Sequence, residues 1–135
     1  MKKIEQALLY GFNDMARLER TRKVLNKLGI AVKVLEESAW REKIGYLLGM
    51  NGFKGTKTVD DDNFVFPHEV MVLQNIRNKR LDEVLASLQQ NELGDIKFKS
   101  VVTPFNTLWT LRRLCETMQR EHSTLLSADR KMEQE

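Results

Sequence analysis

The sequence predicts an α+β domain: duplicated β-α-β units forming a ferredoxin-like four-stranded sheet, with extra helices after the second and fourth strands. Three observations predict it. Short apolar runs alternate with stretches of helical period. The order strand, helix, strand, helix occurs twice. A segment rich in glycine and aspartate separates the two occurrences. The 135 residues are enough for one domain with a real core. The expected organisation is a single domain over 1–135, with pseudo-repeats at about 4–50 and 69–122. A connection over 51–66 joins them, and a C-terminal tail over 127–135 is expected to fray.

Ile4 to Tyr10 reads as the first strand. Gly11-Phe12-Asn13-Asp14 is a turn in which Asn13 or Asp14 can cap the following helix. Met15, Leu18, Leu25 and Leu28 then form an apolar stripe with Val24 beside it, and Gly29 ends the helix as a left-handed residue would. Ile30, Val32 and Val34 alternate with Ala31 and Lys33, the pattern of a half-buried strand. Ser38 is placed to cap a short helix carrying Trp40, Ile44, Leu47 and Leu48. Three glycines and Asp60-Asp61-Asp62 make residues 49–63 the joint. Phe64-Val65-Phe66, stopped by Pro67, leads into a third strand from Glu69 to Leu73.

The second half repeats this order. Met71-Val72-Leu73 answers Ala7-Leu8-Leu9. Val84, Leu85 and Leu88 answer Val24, Leu25 and Leu28. Ile96 and Phe98 answer Ile30 and Val32, and Trp109 answers Trp40. A short β-α-β crossover leaves its two strands parallel. Two such units either interleave into a ferredoxin-like sheet with helices on one face, or sit side by side as two parallel pairs. Periodicity does not separate these. A last helix from near Thr107 carries Leu108, Leu111, Cys115, Met118, His122 and Leu125 on one stripe. That stripe either wraps the domain's own edge or packs against a second copy of the chain.

Composition narrows the function classes. Hydrophobic residues at 41% and charged residues at 30% are those of a globular protein. No apolar run approaches the roughly 18 residues of a membrane span. Ala7-Leu8-Leu9-Tyr10 is too short for a signal peptide, so a cytoplasmic location is expected. Cys115 is the only cysteine, which fits a reducing compartment and a small core side chain. The net charge of +3 permits a nucleic-acid partner without arguing for one.

Lys97 to Val102 reads as the fourth strand, which Pro104 stops. Asn106 or Thr107 can then accept hydrogen bonds from the free amides of the next helix. A strand end meeting a helix start is a usual ligand crevice in α/β sheets. The alternative is a tight turn with Trp109 filling core.

Residues 69–122 resemble the bacterial domain-of-unknown-function 3783 family. The resemblance rests on Val70-Met71-Val72-Leu73, on Leu81, Val84, Leu85 and Leu88, and on Thr103-Pro104-Phe105-Asn106 followed by Trp109, Leu111 and Leu114. Glu121-His122 closes it. The first half has Leu35-Glu36-Glu37-Ser38-Ala39-Trp40 in place of the Thr-Pro-x-Asn knuckle. The resemblance implies a small bacterial fold unit and assigns no substrate.

Two histidines and one cysteine argue against an ordinary zinc site. The aspartate run lacks the spaced carboxylates of a calcium loop. Phosphate-cradling glycine motifs and a Gly-x-Ser-x-Gly elbow are missing from the sequence. Glu121 and His122 are neighbours on a helix and point about 100° apart, so they do not converge on one atom. The first helix is basic, with Arg20, Lys23 and Lys27 on one side, suited to phosphate or an acidic partner.

The reading is a non-enzymatic binding or regulatory domain, homodimeric through its last helix, with no cofactor or metal. Ligand contact is expected at Thr103, Pro104, Asn106, Trp109 and His122. One alternative is a nucleic-acid-binding module using Arg20, Lys23 and Lys27. The other is a small enzyme with a crevice at Thr103–Asn106.

Overall fold

The computed structural model describes residues 4–56 and 64–121. Strand β1 (Gln6–Tyr10), helix α1 (Met15–Lys27) and strand β2 (Ala31–Val34) form the first unit. A 3-10 turn (Glu37–Arg41) and the short helix α2 (Ile44–Leu47) follow. The second unit is β3 (Val70–Gln74), α3 (Asn78–Gln90) and β4 (Phe98–Val101). It continues into a second 3-10 turn (Asn106–Leu108) and a helix, α4, over 111–121 of the described residues.

The four strands form one sheet in the order β2-β1-β3-β4. β1 and β2 are parallel, with Ala7 opposite Val32. β3 and β4 are parallel, with Val72 opposite Ser100. The two pairs meet antiparallel, with Leu8 opposite Val72. The expected ferredoxin-like interleaving is therefore corrected to two parallel pairs side by side. The physical reason lies after β2. The ferredoxin-like order needs β2 to turn tightly into β3, but here the chain leaves the sheet at Val34 and builds a 3-10 turn and α2 first. β2 thus stays beside β1.

The two crossover helices share one face, as expected, and the elements that follow β2 and β4 cover the other. Ala7, Leu9, Met71 and Leu73 pack under α1 and α3, against Leu25, Val84 and Leu88. Leu8, Tyr10, Val70 and Val72 pack on the opposite face, against Trp40, Ile44, Leu47, Leu111 and Leu114. The central strands are covered on both sides, which explains their unbroken apolar runs. Lys33, Lys99 and Ser100 fall on the edge strands, where charge discourages pairing with another sheet.

The two units agree position by position. Thr21 and Leu25 are the buried residues of α1, and Val84 and Leu88 those of α3. Each helix ends on a residue of positive φ, Gly29 or Glu92. The next residue, Ile30 or Leu93, turns its N–H back to Leu25 or Leu88. Past the strands, the Leu35 N–H bonds the Leu9 carbonyl at 2.8 Å and the Val102 N–H bonds that of Leu73 at 2.9 Å. Ile44, Leu47 and Leu48 are buried, as are Leu111, Leu114 and Cys115. The starts of α2 and α4 lie against each other: the Ile44 N–H donates to Trp109 and the Leu111 N–H to Glu42, both at 2.9 Å.

Several expected correspondences shift. Val84 answers Thr21 and not Val24. Thr21 is buried because its hydroxyl bonds the Arg17 carbonyl at 2.8 Å, so a polar residue stands in an apolar column. Phe98 lies on the face opposite Val32. Met15, expected in the α1 stripe, is 66% exposed. Ser38 lies inside the first 3-10 turn and caps nothing, whereas Asp14 caps α1 through the Ala16 and Arg17 N–H groups.

Two arginines tie the units crosswise. Arg17, in the first turn of α1, meets Glu69 before β3 at 2.6 Å and Asp95 at 2.8 Å. Arg80, in the first turn of α3, meets Glu5 before β1 at 2.8 Å and also donates to the Leu28 carbonyl. Because β1 and β3 run oppositely, each helix start sits beside the other unit's strand start. The two carboxylates raise the Arg17 guanidinium above its ordinary value, and Arg17 in turn lowers Asp95.

Candidate functional site

The Thr-Pro-Phe-Asn knuckle forms where β4 ends. Pro104 lacks an N–H and stops the ladder, and the chain must reverse to cover the sheet. Asn106 fixes that reversal. Its Oδ1 accepts from the Thr103 N–H at 2.8 Å and its Nδ2 donates to the Val101 carbonyl at 2.9 Å. The Asn106 N–H donates to the Thr103 hydroxyl at 3.1 Å. The Thr107 hydroxyl donates to the Pro104 carbonyl at 3.0 Å. Asn106 and Thr107 are both buried.

These bonds differ from the expected helix cap. Neither Asn106 nor Thr107 accepts from α4. That helix starts at 111, after the 3-10 turn, and the Thr110 hydroxyl accepts from the Arg113 N–H at 3.1 Å. The polar atoms of Thr103 and Asn106 face each other and their own backbone, which fits a tight turn. Trp109 is half-buried at the turn's exit, with the Arg113 guanidinium 4.5 Å from its ring centre.

The knuckle presents apolar side chains outward instead. Phe105 is 78% exposed and Leu108 is 63% exposed. The matching positions after β2 are occupied by the polar Ser38 and Arg41. Phe105 and Leu108 were not among the expected contact residues. Apolar residues three apart before a helix read as core, and only the burial of Asn106 and Thr107 between them turns them out.

α4 wraps its own domain as far as it is described. Leu111, Leu114, Cys115 and Met118 are buried against the sheet, while Arg113, Glu116 and Gln119 are exposed. His122, Leu125 and the tail 127–135 lie outside the described residues, as does the Asp60–Asp62 run. Burial, more than the nearby Glu116, pushes the Cys115 thiol up to about 12, so it is a packed thiol with little thiolate character at neutral pH.

Arg20, Lys23 and Lys27 are exposed on α1. Lys23 and Lys27 border a cleft of about 370 Å³ between α1 and α3. A second cleft, of about 420 Å³, lies at the ends of β1 and β2 beneath Phe64–Pro67. Tyr10 lines it and donates to the Glu37 carbonyl at 2.8 Å. Among the described residues no three His, Cys, Asp or Glu side chains group as metal ligands would, and no helix is long and apolar enough to cross a membrane.

Residues 69–125 match the family model described as "Domain of unknown function (DUF3783)". The match covers the second unit from β3 through α4, knuckle included. No curated protein and no solved structure matches the chain.

Proposed function

We propose that the chain is a non-enzymatic binding domain, built from two copies of one strand-helix-strand unit, that docks a protein through the knuckle of the second copy. The observation that carries this is the exposed pair Phe105 and Leu108 on a turn whose polar groups are spent internally. A rigid turn presenting apolar side chains loses little entropy on binding. Aromatic side chains, phenylalanine among them, are enriched in the cores of protein interfaces. The position-by-position agreement of burial and backbone bonding supports the duplication. An enzyme at Thr103–Asn106 has less support, since those two side chains bond each other.

Photo-crosslinking in cells tests the docking reading. With a photoreactive phenylalanine analogue at position 105, a discrete adduct is expected, weakened by Leu108→Ser and absent with the analogue at position 113. An adduct of twice the chain's mass identifies the partner as a second copy, held through the knuckle and not through the last helix. Any other mass identifies a different protein. Equal, diffuse labelling from both positions would defeat the proposal.

A further inference from the structure

The cleft between α1 and α3 lies where the two units face each other across their shared sheet. Its walls are matched positions. Counted from the helix starts at Met15 and Asn78, Val24 is equivalent to Ser87 and Lys27 to Gln90, and all four line the cleft. The two walls carry different chemistry. α1 supplies Lys23 and Lys27, one turn apart on the same side. α3 supplies the Ser87 hydroxyl and the Gln90 amide. Among the described residues no carboxylate lines the cleft. Of the acids nearby, Glu19 meets Arg22 at 3.3 Å and Glu83 meets Arg80 at 3.1 Å, while Asp82 and Glu92 are exposed and are not part of the lining.

We infer that this cleft binds a small phosphorylated molecule, with its phosphoryl group between Lys23 and Lys27 and its apolar body on Val24 and Leu28. Two ammonium groups one turn apart repel each other, and a dianion between them removes that repulsion. Gln90 and Ser87 add neutral donors from the opposite wall, the mixture a phosphate's oxygens need. The floor of Val24 and Leu28 favours an organic phosphate over the bare ion. A volume of about 370 Å³ is at the small end of the range for ligand pockets. Asn91 holds the end of α3 by donating to the Ser87 carbonyl at 2.7 Å, which fixes that wall. The inference is independent of the knuckle.

Amide chemical-shift titration of the full chain tests it, with inorganic phosphate, phenyl phosphate and an oligouridine as probes. Phenyl phosphate is expected to shift residues 23–28 and 87–91 saturably, and to bind more tightly than inorganic phosphate. The Lys23→Gln/Lys27→Gln double variant should weaken it about tenfold or more. Gln90→Glu should do the same by placing a carboxylate on the facing wall, while Arg22→Gln changes nothing. Circular dichroism confirms that each variant is folded. Three results overturn the inference. One is no saturation by phenyl phosphate at concentrations on the order of 10 mM. Another is binding unaffected by Gln90→Glu. The third is binding by oligouridine alone, lost equally in Arg22→Gln and the double variant, which marks diffuse contact with a nucleic-acid backbone.

Discussion

After β2 the chain buries Ala39 and Trp40 in its 3-10 turn; after β4 the matching turn buries Asn106 and Thr107. The backbones do the same work, but different forces hold them. Trp40 closes the first turn by area. Its ring contacts Phe64 at 5.9 Å and lies under the Arg41 guanidinium at 5.0 Å. Asn106 closes the second by three hydrogen bonds to its own loop. One geometry can thus be specified by apolar packing or by local polar bonding. The outer positions face outward in both turns, but the first fills them with the polar Ser38 and Arg41 and the second with apolar side chains. Phe105 and Leu108 are exposed there.

Substitutions at the two turns should separate the forces, and they carry the largest expected effects. Trp40→Ala should cost about 3–5 kcal/mol in urea unfolding, the range for a buried aromatic. Trp40→Phe should recover much of it, since area is what matters. Asn106→Ala should cost about 2–3 kcal/mol by leaving a buried carbonyl and N–H unpaired. Asn106→Leu should be no better, because volume without hydrogen bonds does not restore the turn. A near-neutral Asn106→Leu would show that both turns are held by packing and would remove the contrast.

A second pair of matched positions shares a backbone conformation and differs in its surroundings. Gly11 and Asn75 each follow a central strand, with φ of 80° and 62°. At Gly11 a Cβ would stand 2.5 Å from the His68 carbonyl oxygen. At Asn75 a side chain is in place and donates to the Ile4 carbonyl at 2.8 Å. Gly11→Ala should cost about 1–3 kcal/mol or more, from strain plus the clash. Asn75→Gly should cost about 1 kcal/mol, one hydrogen bond less a relief of strain. Equal costs in thermal unfolding would mean that the close approach of the His68 carbonyl does not set the two positions apart.

The crosswise ion pairs come next. Arg80→Glu should destabilise by about 1–2 kcal/mol, because it sets Glu5 against a like charge at a half-buried site. The double variant Glu5→Arg/Arg80→Glu should restore part of that and not all, as the bond to the Leu28 carbonyl is lost. A double variant no better than the single would show that the carbonyl contact, and not the pairing of the units, is what Arg80 provides.

Much of this was legible in the chain. The unbroken runs Ala7 to Tyr10 and Val70 to Leu73 announced strands, and Pro104 marked the end of β4. Which strand lies beside which was not legible, since a two-residue period is blind to neighbours. The halves were aligned by matching like residues, and that misled at Trp40 and Trp109. The structural counterpart of Trp40 is Thr107, and that of Val84 is Thr21. A hydroxyl bonded to nearby backbone can stand in a core column, and no hydrophobic pattern shows it. The outward turn of Phe105 and Leu108 depended on where Asn106 spends its amide, which spacing alone does not reveal. The lysine pair on α1 was visible, but the facing Ser87 and Gln90 belong to another helix, and only packing brings them near.

The smallest expected effect concerns another matched pair, Leu48 in α2's last turn and Cys115 in α4. Both are buried, but only the thiol titrates. Burial raises Cys115 from an ordinary 9.0 to about 12, and burial, with Cys115 and Glu37 contributing, raises Tyr10 from 10.0 to about 12. A folded-state value above the unfolded one means that the native protein holds its proton longer. The associated stability is whole below about pH 9 and is lost as pH rises towards 12. Thermal midpoints should therefore fall along that alkaline limb. Cys115→Ala should cost about 1 kcal/mol at neutral pH for the missing sulfur, yet flatten the limb by one titration, and Tyr10→Phe should remove the other. Parallel limbs for wild type and Cys115→Ala would mean that the thiol reaches water, and the matched burial of Leu48 and Cys115 would fail at that position.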